Sequence, residues 1–138
     1  MNIKKAILLI ITVLLFHALG LVWGYEMFDW YDIPMHIGGG LAMGALGLAI
    51  WNEGIEDIKF KGSLKKHIKW WLIPFVVLGF VSFIGILWEL HEYIFDQLFP
   101  IQIGDFTSWR QPDLTDTMMD LLNDLIGGVA SLIIWKNK

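Results

Sequence analysis

The residues best suited to chemistry lie at the start of the last apolar segment of the chain. Four aspartates and one asparagine occur close together there: Asp113, Asp116, Asp120, Asn123 and Asp124. At about 100° per residue on an α-helix, these positions share one face. A carboxylate near the centre of a membrane span costs roughly 2.5–3.5 kcal/mol on insertion scales, so acids in such a segment indicate a functional site.

The composition is that of an integral membrane protein. The chain has 138 residues, of which 56% are hydrophobic and only 17% are charged, which is too apolar for an ordinary soluble domain of this size. There are no cysteines, which excludes disulfides and thiolate metal sites. No basic face is present, so nucleic-acid binding is excluded as well. A metal site would have to use imidazole, carboxylate or carbonyl ligands.

Four apolar segments are long enough for a helix to cross a bilayer, which takes about 20 residues. We expect a single all-α domain, a four-helix transmembrane bundle, with spans at residues 3–25, 33–51, 70–95 and 114–135. The first span also resembles a secretory signal, because two lysines precede its apolar run and small residues follow it. We expect it to remain in place as an uncleaved anchor.

The distribution of basic residues predicts the orientation. If both termini are cytoplasmic, the polar loop at residues 52–69 is cytoplasmic too, and nine of the ten Lys and Arg residues lie on that side. Only Arg110 then lies outside. This asymmetry follows the positive-inside rule. We therefore expect a multi-pass protein of the cell (inner) membrane with both termini in the cytoplasm.

This topology brings polar residues of three spans to the outer half of the membrane. They lie at the start of the second span, at the end of the third and at the start of the fourth. We expect them to form a metal site with the ligands His36, Glu89, Glu92, Asp116 and Asp120. The four acids among them are also the candidate catalytic residues. Asn123, Asp124, Asp96 and His17 are expected to support these ligands.

So many carboxylates in one region cannot all be ionised without a compensating positive charge. Bound divalent cations, retained protons or a cationic substrate would each supply it. Oxygen ligands with one imidazole suit Mg²⁺, Mn²⁺ or Ca²⁺, and Zn²⁺ is suitable if His36 joins two carboxylates. The alternative is a structural network of protonated acids that holds two helices together.

Several polar residues also have a simpler interpretation. Asp96 and Asp113 lie near the water interface and suit solvated helix caps, Asp113 at the position where an N-cap side chain belongs. His17 suits a packed neutral imidazole. Asn123 suits an amide that joins two helices. Asp124 is the deepest acid, and it fits either a support for the site or the first step of a path across the membrane.

Three segments resemble the YjdF-like family of small bacterial inner-membrane proteins. They are YDIPMHIGGG at residues 31–40, WELHEY at 88–93 and DTMMDLLNDLIGG at 116–128. The chain is more distantly similar to the VanZ-like group, which is associated with glycopeptide resistance. The resemblance covers about residues 30–135 and implies a fold and a site but no established reaction. The positions that it implies for the site are Tyr31, Asp32, His36, Glu89, Glu92, Asp116, Asp120 and Gly127.

Three functions fit these features. The first is a metal-dependent hydrolase that activates water against a lipid-linked envelope substrate. The second is a cation- or proton-coupled transporter in which Asp120, Asp124 and His17 form a path; because four spans are few for a transporter, it predicts a homo-oligomer. The third is a protein that binds an envelope ligand without catalysis.

Overall fold

The computed structural model describes residues 1–28, 30–55, 67–103, 106–108 and 111–136. Within these ranges, four helical segments are long and apolar enough to cross a membrane: Ile3–Gly24, Asp32–Ile55, Trp70–Leu98 and Leu114–Trp135. The prediction of four helices that can span a membrane is thus confirmed, and the cytoplasmic placement of both termini stays a prediction. Most of the predicted cytoplasmic loop, and also Arg110, lie outside the described residues.

The helices begin and end close to the apolar segments of the sequence. Their bounds are α1 Ile3–Leu19, α2 Tyr25–Met27, α3 Asp32–Ile50, α4 Ile68–Leu98 and α5 Leu114–Trp135. Two π-helical stretches, Gly20–Gly24 and Trp51–Ile55, continue α1 and α3. The helix α4 is longer than a bilayer requires, since 31 residues at about 1.5 Å each exceed the hydrocarbon thickness of about 30 Å.

The connection between α4 and α5 contains a short hairpin where the sequence predicted only a loop. Its strands, β1 Ile101–Ile103 and β2 Phe106–Ser108, pair antiparallel, with Ile103 opposite Phe106. A two-stranded hairpin of this length is marginal by itself. Strands of three residues are also too short to give a clear alternating pattern, which explains why the prediction missed them.

Helices α3 and α5 approach each other at glycines. A Cβ atom on Gly40 would lie under 3.0 Å from the backbone of Asp124, and one on Gly127 would lie as close to the Ile37 carbonyl. Further along, Gly44 meets Ser131 in the same way. Small residues allow two helix backbones to come this close inside a membrane.

The apolar core lies at the opposite end of the bundle from the acids. It is formed by Leu48, Trp51, Ile73 and Val77, which belong to the end of α3 and the start of α4. Helix α1 packs onto α3 beside it, where Ala6 contacts Ala45 and Ala49. The polar ends of α3, α4 and α5 are therefore held together from the apolar end.

The start of α3 is fixed by Tyr31. Its hydroxyl donates a 2.8 Å hydrogen bond to the Phe16 carbonyl of α1. Its ring covers Gly20 and Gly24, where an added Cβ atom would lie under 3.0 Å from the ring. The two glycines of the first span thus leave the space that the Tyr31 ring occupies. This contact sets the position of Asp32, the first residue of α3.

We expect Gly40→Val to destabilise the bundle by about 2 kcal/mol or more, because the new side chain would overlap the α5 backbone. The matched control is Gly79→Val, since a Cβ atom on Gly79 meets nothing within 4 Å. The measurement is reversible unfolding in detergent followed by tryptophan fluorescence. Equal stability of the two variants would contradict the close packing of α3 and α5.

Candidate metal centre

His36 lies at the centre of the polar cluster. It is in the second turn of α3, and only 5% of its surface is exposed. Its Nε2 atom lies 3.6 Å from Asp32 Oδ1, 3.7 Å from Asp120 Oδ1 and 4.0 Å from Glu89 Oε1. One ring nitrogen therefore faces carboxylates from three different helices.

Asp124 lies beside the other ring nitrogen of His36. Its Oδ1 atom lies 3.4 Å from Nδ1, and the carboxylate is buried. Its second oxygen lies against Gly85 of α4, where any Cβ atom would overlap it. When the ring is neutral, a carboxylate at Nδ1 favours the tautomer with the hydrogen there, and the Nε2 lone pair is then available to a cation.

Glu89 contributes a buried oxygen that has no hydrogen-bond partner. Its Oε2 atom accepts a hydrogen bond from Gln111 Nε2. Its Oε1 atom is buried and accepts none among the described residues. Leaving a buried acceptor unsatisfied costs about 1–3 kcal/mol, and more if the group is charged. The position of Oε1 near His36 Nε2 therefore suits a bound cation.

Two sets of side chains can each offer three ligand atoms within 4.8 Å of one another. The first set is Asp32, His36 and Asp120, and the second is His36, Glu89 and Glu92. A tetrahedral ion with bonds of about 2.1 Å keeps its ligands roughly 3.4 Å apart. Either set must therefore contract slightly around an ion. The donor chemistry, imidazole nitrogen with carboxylate oxygen, fits Mn²⁺ or Zn²⁺ best and also admits Mg²⁺ or Ca²⁺.

Asp116, a predicted ligand, lies outside both sets. It is half-buried at the first turn of α5, where its backbone N–H donates to Asp113 Oδ1 at 3.1 Å. The other predicted ligands, His36, Glu89, Glu92 and Asp120, belong to one set or the other. A shared helix face was the basis of the prediction for Asp116, which lies one turn nearer the helix end than Asp120; its role as a ligand stays a prediction.

Asp32 belongs to the cluster although the predicted ligands did not include it. It precedes His36 by four residues, so both side chains lie on the same face of α3. This spacing was visible in the sequence. The YjdF-like resemblance also implied a role for the position.

Asp96 and Gln111 join the end of α4 to the start of α5. Asp96 is 2% exposed, and its Oδ2 accepts a 3.0 Å hydrogen bond from the Gln111 backbone N–H. The interpretation of Asp96 as a solvated cap is therefore wrong. Because the Gln111 side chain bonds Glu89, this residue holds two acids in place. Its location in a connecting segment gave no sequence signal.

The remaining supporting candidates occupy different surroundings. Asn123 is buried beside Asp124 on α5. His17 belongs to neither ligand set, and its Nδ1 atom lies 2.7 Å from the hydroxyl of Tyr25. Burial, with Asp32 nearby, raises the pKa of Tyr25. The phenol therefore keeps its proton, and the tautomer of the His17 ring decides which of the two groups donates. The sequence did not indicate this contact.

Asp113 is the N-cap of α5, as the sequence predicted. Its Oδ1 atom accepts hydrogen bonds from the backbone N–H groups of Thr115, at 2.7 Å, and Asp116, at 3.1 Å. These bonds favour the ionised form, so they lower the pKa of the Asp113 carboxyl. The residue is exposed and stabilises the helix start without belonging to the cluster.

The Asp113 cap should make the stability of the folded protein depend on pH. A carboxyl with a lowered pKa in the folded state contributes stability above its ordinary pKa of 3.8, and that contribution disappears as the pH falls through the folded-state value. We expect wild type to unfold at a higher temperature than Asp113→Asn near neutral pH, with the difference shrinking below about pH 4. Thermal unfolding at several pH values measures it. A difference that stays constant with pH would contradict this role.

Comparison with known proteins identifies the family of the chain. Residues 3–137 match the family model described as "Predicted membrane protein (DUF2238)". Neither the curated proteins nor the solved structures contain a match to the chain. The VanZ-like similarity has no support from these comparisons. Because the family model covers nearly the whole sequence, the chain belongs to the DUF2238 family of predicted membrane proteins.

Proposed function

We propose that this protein binds one divalent cation between α3, α4 and α5, with His36 Nε2 as the nitrogen ligand. The observation that carries the proposal is Glu89 Oε1, a buried oxygen 4.0 Å from that nitrogen that has no hydrogen-bond partner in the described part of the chain. Asp32 and Asp120 approach the same nitrogen. An ion held by His36, Glu89 and Glu92, one of the two sets that can offer three ligand atoms, would give this oxygen a partner, with Asp32 and Asp120 beside it.

The charge balance supports a cation. The cluster and its margin contain six carboxylates: Asp32, Glu89, Glu92, Asp116, Asp120 and Asp124. Between residues 70 and 135, the sequence has a single Lys or Arg, Arg110. Carboxylates inside a membrane protein need a partner of opposite charge. A divalent ion is more compact than a side chain and can contact acids from three helices.

The finer function that we propose is hydrolysis of a lipid-linked envelope substrate, with the site in the outer half of the inner membrane. The positive-inside distribution and the YjdF-like resemblance support that placement. A bound divalent ion would make a coordinated water more nucleophilic. The two ligand sets share His36, so an ion held by His36, Glu89 and Glu92 leaves Asp120 available to accept the proton.

The packing below the cluster favours binding over transport. A conducting path would continue inward from Asp124 along the face of Gly127 and Ser131. There, α3 and α5 are in backbone contact at glycines. The Ser131 hydroxyl donates to the Gly128 carbonyl of its own helix at 2.7 Å. These contacts leave little room for a chain of polar groups.

The proposal predicts the metal content of variants. We expect wild-type protein to hold one equivalent of a divalent metal. Loss of a side chain that supports a metal ligand lowers metal affinity by roughly 10–100-fold. Asp120→Asn should weaken metal binding by at least that factor. The control Asp113→Asn makes the same chemical change at an exposed acid, and it should retain the metal. Elemental analysis of purified protein, with titration of Mn²⁺ and Zn²⁺, makes the measurement.

The same experiment has a clear negative result. If no preparation binds metal above background after loading, the metal centre is wrong. Equal affinity of Asp120→Asn and Asp113→Asn would place any bound metal elsewhere. Unfolding temperatures of both variants separate loss of metal from loss of fold.

A further inference from the structure

A cavity of about 110 Å³ lies between α1, α3 and α4. Its walls are mostly apolar, with Ile10 and Val13 from α1 facing Val81 and Ile84 from α4. Along α3 the lining extends from residue 32 to residue 43, which at 1.5 Å per residue is about 16 Å. An apolar cavity of about 150 Å³ is large enough to hold benzene, so this smaller one suits a short segment of hydrocarbon chain, a few carbons long.

One end of the cavity belongs to the candidate metal centre. Asp32, His36 and Asp124 line it, and the hydrogen-bonded pair of His17 and Tyr25 forms the facing wall. The cavity therefore joins an apolar channel to a group of acids. A molecule that fills both parts must be an amphiphile.

The cavity reaches the surface that faces the lipid. Leu14 lines it and is also 50% exposed. Near the polar end, α1 and α4 touch through the rings of His17 and Trp88, whose centroids are 5.1 Å apart. Since both helices are membrane spans, the gap between them faces hydrocarbon. A bilayer lipid is therefore the amphiphile that can enter from the side.

We propose that the cavity binds a segment of one acyl chain of a membrane lipid whose head group carries a primary amine, and that this amine contacts Asp32. The charge selects the head group. The cavity is lined by two acids, Asp32 and Asp124, so an amine is attracted to its polar end and a purely anionic head is repelled. Asp32 is the more accessible of the two, with 32% of its side chain exposed against 9% for Asp124. This inference rests on the proposed metal centre, because it names the ligand class of the same site.

The test uses the full chain in nanodiscs with two photoactivatable lipids. Both carry the same diazirine-labelled acyl chains, one on phosphatidylethanolamine and the other on phosphatidylglycerol. We expect the ethanolamine lipid to label the cavity residues of α1 and α4 about tenfold more than the glycerol lipid. Peptide mass spectrometry gives the labelled positions.

A pair of variants tests the position of the chain. Ile84→Phe fills the cavity, whereas Ile86→Phe makes the same change at a residue that is 55% exposed on α4. We expect Ile84→Phe to reduce labelling by about fivefold or more through loss of the chain site. Ile86→Phe should label like wild type. The head-group comparison on wild type needs no variant, so it decides the proposal even if Ile84→Phe does not fold.

Equal labelling by the two lipids, or equal labelling of the two variants, would overturn the proposal. Metal content measured in the same nanodiscs separates this result from failure of the metal centre. If the protein binds metal but the two lipids label it equally, only the lipid assignment is wrong. Selective labelling in protein that binds no metal removes the metal centre and supports the cavity as a lipid site.

Discussion

The close contact between α3 and α5 is the interaction on which the site depends. Gly40 and Gly127 allow the two backbones to meet, and this brings His36 to 3.7 Å from Asp120 and 3.4 Å from Asp124. A larger residue at either glycine would separate the imidazole from both acids. Since helices in lipid gain little from the hydrophobic effect, such packing must supply much of the association energy. The same contact therefore holds the bundle together and assembles its polar cluster.

The acids at the polar end of the bundle differ in how well hydrogen bonds satisfy them, and this difference indicates where a ligand would bind. Asp113 is satisfied by the start of its own helix, and Asp96 by the Gln111 backbone. His36 has acids on both sides, and Glu89 retains a buried oxygen to which none of the described residues donates a hydrogen bond. Natural proteins keep such costly arrangements where a ligand completes them. A cation at His36 Nε2 would complete this one, and the adjoining cavity would bring an amphiphile to it.

Much of the fold followed from the sequence because apolar length and helical spacing are local properties. They predicted the four spans, the polar face of α5 and the cap at Asp113. They did not give the rotation and depth of one helix against another, which side-chain packing decides. That is why the spacing did not show that Asp32 belongs to a three-ligand set and that Asp116 lies outside both sets. Gln111 was missed because its role depends on the path of the α4–α5 connection.

The central claim is that His36 binds a divalent ion through its Nε2 atom, and pulsed electron paramagnetic resonance of Mn²⁺-loaded protein tests it most directly. The account predicts a nuclear coupling from one directly bound imidazole nitrogen. This coupling should disappear in His36→Gln and persist in His91→Gln, whose side chain is exposed and outside the cluster. A spectrum of fully hydrated Mn²⁺, or a nitrogen coupling that survives in His36→Gln, would contradict the account.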